Sequence, residues 1–126
     1  MRVMPDIRTK RIYDEPVAQD GCRILVDRLW PRGVTKEAAR LDLWLKEIAP
    51  SAQLRTEFGH MPDRFESFTQ AYRAELDHSE AVAQALDLAG EHGTLTLLYA
   101  AKDLQHNHAV VLRDYLRERL ESGPGQ

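Results

Sequence analysis

Three aliphatics in a row, Ile24-Leu25-Val26, run without a spacer into Asp27-Arg28-Leu29-Trp30-Pro31-Arg32-Gly33. A strand with one wet face alternates apolar and polar residues. A strand covered on both faces does not, so an unbroken run of this kind is the signature of a parallel sheet. A second stretch repeats the pattern: Thr94 to Ala101 carries Leu95, Leu97, Leu98 and Tyr99, and then passes into Lys102, Asp103, His106, Asn107 and His108. Two buried strands that each end in a polar cluster predict an α/β fold on a mainly parallel sheet.

The remaining chain supplies the other elements. Ile7 to Tyr13 reads as a first strand anchored by Ile7 and Ile12, and Asp14 to Gly21 as a loop closed by the Asp20-Gly21 turn signal. So short a connection, with no helix in it, favours antiparallel pairing of the first two strands, because parallel neighbours need a crossover of a dozen or more residues. Thr35 is placed to cap a short helix through Ala39. Leu41 to Ile48 fits a strand by its alternating leucines and a helix by the spacing of Leu41, Trp44, Leu45 and Ile48; closure by Pro50 favours the strand. That makes about four strands.

Ser51 caps a helix to Phe58, with Gly59 as its left-handed terminator. Phe65, Phe68, Tyr72 and Leu76, spaced by three and four, predict an amphipathic helix over Pro62 to Asp77 with an aromatic stripe facing the core. Ser79 is expected to cap a further helix ending at Gly93, and a last helix carries Val111, Leu112, Tyr115 and Leu116. Glu121 to Gln126 reads as a flexible tail.

Bulk properties narrow the function classes. A chain of 126 residues is expected to form a single domain, with its core over about 7–120, and to bury about two thirds of its unfolded surface. A formal net charge of -3 speaks against a broad duplex-binding face, so any nucleic-acid contact would rest on a local patch. The lone cysteine, Cys22, leaves no intramolecular disulfide and no cysteine-based zinc cluster, and reads as a small buried hydrophobe. Met1 to Arg11 lacks the apolar region of a signal peptide, and no stretch approaches 18 apolar residues. The expected setting is the cytoplasm, without a membrane partner.

In open α/β sheets ligands bind beyond the carboxyl ends of the strands, which is where both polar clusters fall. Pro31 and Gly33 suit a type I turn over Trp30 to Gly33 that would present Arg32. Asp27, Arg28 and Arg32 on one strand, with Lys102, Asp103, His106, Asn107 and His108 after the other, would frame a pocket for a small anion or nucleotide. A helix start beside the second cluster favours an anion further. Acid-base work would fall to His108 oriented by Asp103, because a carboxylate fixes the tautomer of a group that titrates near neutrality.

His106 and His108 also have a metal-ligand spacing. Residues two apart in a helix point about 200° apart, so a shared metal requires that both precede the helix, with His60 or an acid as third ligand. A non-catalytic adaptor, with these charges as a structural network, is the remaining alternative. No glycine-rich phosphate loop and no Gly-x-Ser-x-Gly elbow is present, so no cofactor and no reaction class follow from the residues.

The words Leu25-Val26-Asp27-Arg28-Leu29-Trp30-Pro31-Arg32-Gly33, Phe58-Gly59-His60, and Tyr99-Ala100-Ala101-Lys102-Asp103-Leu104-Gln105-His106-Asn107-His108-Ala109 together resemble the YeaO-like family. This is a compact branch of the domain of unknown function 488 superfamily, and the resemblance runs from about Ile7 to Leu120. It implies a small Rossmann-like α/β domain with a parallel sheet, and no activity. Longer members carry Cys-Ala-Glu and then Cys-His-Arg in the last strand and loop. Here Tyr99 stands at the first Cys, Ala101 at the Glu, Asn107 at the second Cys and Ala109 at the Arg, so only His108 remains. The family's Gly-His-Asp-Pro has Met61 at its Asp.

The expected site therefore divides in two. Asp27, Lys102, Asp103 and His108 are the candidates for charge or proton transfer, and Arg28, Arg32, His60, His106 and Asn107 those for holding the ligand.

Overall fold

A computed structural model describes residues 4–122. Four strands, β1 (Asp6–Arg11), β2 (Cys22–Leu25), β3 (Leu43–Trp44) and β4 (Thr94–Tyr99), form one sheet in the order β1-β4-β2-β3, every neighbouring pair parallel. Helices α1 (Lys36–Ala39), α2 (Ala52–Phe58), α3 (Phe65–Leu76), α4 (Ala81–His92) and α5 (His108–Ser122) flank it. The α/β class and the four-stranded parallel sheet agree with the sequence reading.

Period-two alternation sorts the side chains of the central strands onto two cores. Leu95, Leu97 and Tyr99 of β4, with Ile24 of β2, join the larger core, where α3 contributes Phe68, Tyr72 and Leu76 and α5 contributes Val111, Leu112 and Leu116. Leu98 of β4 and Leu25 of β2 point the other way, into a smaller core with Ile12 and Ala39. Both faces are covered, and this is why the two strands read as continuous apolar runs. Tyr72 lies in the larger core and donates its hydroxyl to the Ile48 carbonyl at 2.6 Å, which satisfies its one polar atom.

The antiparallel pairing expected for the first two strands does not occur. β4 lies between β1 and β2, and both run parallel to it. The short connection suffices because ten extended residues span roughly 33 Å, more than the length of a six-residue strand. It returns across the sheet and is pinned near its end, where Thr96 Oγ1 donates to the Asp20 carbonyl at 2.7 Å.

Three local expectations also shift. Leu41 to Ile48 is a strand only at Leu43–Trp44, which pair with β2 at the sheet edge; the chain then turns at Leu45 into a 3-10 turn, Lys46–Ile48, that buries Leu45 and Ile48 three residues apart. The turn after β2 centres on Arg32 and Gly33, with Gly33 at φ 78°, one residue later than a type I turn from Trp30 would have it. Pro62–Arg64 form a 3-10 turn before α3.

The caps at Thr35 and Ser51 form as expected, their hydroxyls accepting from the Ala38 and Leu54 amides. Ser79 is different: its backbone carbonyl, not its side chain, receives the Val82 amide. Of the expected tail, Glu121 and Ser122 belong to α5, and 123–126 lie outside the described residues. Among the described residues no helix is long and apolar enough to cross a membrane.

Candidate functional site

Because β2 and β4 are parallel neighbours, the segments that follow them emerge side by side at one edge of the sheet. Between them opens a cleft of about 360 Å³. Its polar lining is Asp27 and Arg28 after β2, Asn107 and His108 at the start of α5, Arg55 on α2, and His60 just after α2. Phe58, Phe68, Pro50 and Ala100 supply apolar wall. The volume lies at the small end of ordinary ligand pockets.

Asp27 is fixed from both sides. Its Oδ2 accepts from the Ala100 amide at 3.0 Å, and its backbone carbonyl accepts from Trp44 Nε1 at 2.8 Å. Oδ1 is buried and lacks a hydrogen-bond partner among the described residues, although His108 Nε2 is 3.0 Å away. The same Nε2 lies 3.0 Å from the Val26 carbonyl, at which its N–H is aimed. A carbonyl and a carboxylate only accept, so the neutral His108 ring carries its proton on Nε2. The expected partner of His108 was Asp103; the structure puts Asp27 there instead.

Asp103 serves its own loop. Its Oδ1 accepts from the amides of Gln105 and His106, and its Oδ2 lies 2.9 Å from His106 Nδ1. Those two backbone N–H groups first, and then His106, outweigh the opposing effect of burial and hold the Asp103 carboxyl below its ordinary range. The His106 ring packs edge-on against Phe65, with centroids 5.2 Å apart. Neither Asp103 nor His106 lines the cleft, and neither does Lys102.

Asn107 is almost fully buried. Its Oδ1 accepts from the Val110 amide at 3.0 Å and its Nδ2 donates to the Asp103 carbonyl at 2.8 Å, so it is the N-cap of α5 as well as cleft wall. Arg32 is exposed and outside the cleft; its carbonyl accepts from Tyr13 Oη. The expected clustering of Arg32 with Asp27 and Arg28 fails because the chain turns outward at Leu29, which is itself 68% exposed.

Two guanidiniums remain on the cleft. Arg28 donates from Nη2 to the Ala49 carbonyl at 3.2 Å, which ties the cleft wall to the segment before α2. Arg55 on α2 also lines the cleft, and its Nε is buried without a partner among the described residues. Sequence reasoning missed Arg55. The available signal was its position three residues before Phe58, hence on the same helix face as that core anchor. His60 was expected, and is exposed with φ 57°, immediately after the left-handed Gly59. Its ring centroid lies 6.0 Å from that of Phe58.

Buried groups elsewhere are poor reagents. Burial, then Asp42 and Glu91, pushes the Cys22 thiol up to about 11, and the residue sits at the opposite end of β2 from the cleft. Burial, then the charges of Glu75 and Asp27, drives the Tyr72 phenol well above its ordinary value despite Arg28. Among the described residues no three His, Cys, Asp or Glu side chains converge as a metal site requires.

Comparison with known proteins places the chain. Over 113 residues it is 48% identical to the uncharacterized protein YeaO of Escherichia coli strain K12, covering 89% of this chain and 97% of that one. It is 38% identical over 113 residues to the uncharacterized proteins Rv3073c of Mycobacterium tuberculosis and Mb3100c of Mycobacterium bovis, covering 90% of this chain and 95% of each. No solved structure matches. The family model DUF488-N3i, described as the inactive DUF488-N3 subclade, matches residues 6–125. The chain belongs to this family and is a YeaO-like member of the DUF488 group.

Proposed function

We propose that this chain is a binding domain whose cleft holds a small anionic ligand without converting it. The observation that carries the reading is the pair of guanidiniums, Arg28 and Arg55, on a cleft whose one carboxylate, Asp27, leaves an excess of positive charge. Neither arginine is in an ion pair among the described residues, and Arg55 Nε has no hydrogen-bond partner there. Guanidinium groups suit planar or tetrahedral oxyanions because their N–H donors diverge in a fixed fork. The family's description as inactive favours binding over turnover, and the resemblance drawn from the sequence implies the same, with Tyr99, Ala101, Asn107 and Ala109 standing where longer members carry Cys, Glu, Cys and Arg.

The test is a thermal-shift screen against nucleotides, sugar phosphates and simple carboxylates, with Arg55→Ala and Arg32→Ala beside the wild type. A ligand at 100 times its Kd adds about 2.7 kcal/mol to stability. Loss of a charged hydrogen bond of about 1.5–3 kcal/mol weakens binding by roughly 10- to 150-fold. Arg55→Ala is expected to cut that stabilisation to about 0.3–1.4 kcal/mol at the same ligand concentration, and Arg32→Ala to leave it intact. Absence of any anion-dependent shift in the wild type, or equal loss in both variants, overturns the reading.

A further inference from the structure

We infer that the ligand of this cleft is a hydroxylated oxyanion, whose oxyanion meets Arg28 and Arg55 and whose hydroxyl donates to His108 Nδ1. The inference rests on the anion-binding reading above and adds to it the second half of the ligand. His108 Nε2 faces two groups that can only accept, the Val26 carbonyl and the Asp27 carboxylate, each at 3.0 Å. The proton of the neutral ring is therefore committed to Nε2, and Nδ1 carries the lone pair. Nδ1 has no partner among the described residues and is not sealed from solvent, and His108 lines the cleft. An acceptor held in one tautomer selects for a donor on the ligand.

The donor is an uncharged hydroxyl and not an ammonium, because the cleft already holds two guanidiniums against one carboxylate. Size and wall chemistry add a ring. The cleft of about 360 Å³ takes a pentose-sized group, and Phe58, Phe68 and Pro50 line it as apolar wall. Oxyanion and hydroxyl thus belong to one small molecule.

The probes are methyl ribofuranoside 5-phosphate, its hydroxyl-free counterpart cyclopentylmethyl phosphate, methyl ribofuranosiduronate as the carboxylate version, and inorganic phosphate. Calorimetric titration of the full chain is expected to rank the ribofuranoside phosphate about tenfold tighter than cyclopentylmethyl phosphate, the span of one net hydrogen bond to a fixed acceptor. In His108→Phe the two should bind alike, while Arg55→Met should weaken both in proportion. Methyl ribofuranosiduronate binding as tightly as the ribofuranoside phosphate would support the inference and assign the oxyanion to a carboxylate.

A second measurement needs no variant. Long-range ¹H–¹⁵N correlation of the histidine rings should report His108 as the Nε2–H tautomer, with Nδ1 shifting on addition of the ribofuranoside phosphate and not of cyclopentylmethyl phosphate. Equal affinity of the two phosphates for the wild type, or an Nδ1–H tautomer, overturns this inference and leaves anion binding standing. Failure of every probe to bind overturns both.

Discussion

Gly21 is the residue on which the return from β1 to β2 depends. It takes φ 63° and ψ -130°, a region closed to side chains, and a Cβ there would lie 2.5 Å from the Thr94 carbonyl oxygen and 2.8 Å from Thr94 Cβ. Gly21→Ala is expected to destabilise by about 3 kcal/mol, read as a fall in the urea midpoint with an unchanged slope. Beside it, Asp20 and Arg23 are buried together: Arg23 Nη1 donates to Asp20 Oδ2 at 2.6 Å, and its Nη2 donates to the Ala39 carbonyl at 2.7 Å. Burial pushes the Asp20 carboxyl up, but the Val17 amide, Lys10 and Arg23 together outweigh it and leave it below its ordinary value. A carboxyl lowered by folding adds stability above its unfolded pKa of about 3.9, and that stability is lost as pH falls through the folded value. Asp20→Asn should therefore cost about 3 kcal/mol at neutral pH, and its denaturation curves should converge with the wild type's in acid. A difference constant from pH 7 to pH 2 would contradict the ion-pair account.

At the scale of the element, α5 carries two duties that meet at its first turn. Its buried stripe packs Leu112 and Leu116 into the larger core, while its first residue, His108, forms part of the cleft. Asn107 joins the two, because its side chain caps the helix and ties it back to Asp103. Asn107→Ala is expected to cost about 1–2 kcal/mol through loss of the cap, with the helical circular dichroism signal kept below the transition and a lower melting midpoint. Asn107→Asp should not recover that loss: it keeps an acceptor for the Val110 amide, but its second oxygen would face the Asp103 carbonyl from a buried position where Asn107 Nδ2 now donates at 2.8 Å. The Asp103–His106 pair, one turn earlier, belongs to the loop that delivers this cap, and that explains its distance from the cleft better than any chemical role.

At the scale of the whole molecule, what could be read from the chain is what local physics decides. The unbroken runs at Ile24-Leu25-Val26 and Leu95 to Tyr99 announced strands covered on both faces, the aromatic stripe of α3 announced its buried side, and Thr35 and Ser51 announced their helices. Each of these signals lies within a few residues of the element it specifies, so no knowledge of partners was needed. The meeting of Asp27 and Arg28 with Asn107 and His108 was legible only conditionally, given that β2 and β4 are neighbours. That neighbour relation was the tertiary structure's to decide: inserted between β1 and β2, β4 has both edges paired and both faces buried, a non-local gain that outweighs the local preference for a hairpin. The same placement turned His108 toward Asp27 rather than Asp103, left Arg32, Lys102 and His106 outside the cleft, and brought in Arg55 from a helix that sequence reading had treated as scaffold. The sequence by itself determined which segments are buried and where charge follows them; the order of the strands decided which of those charges share a cleft.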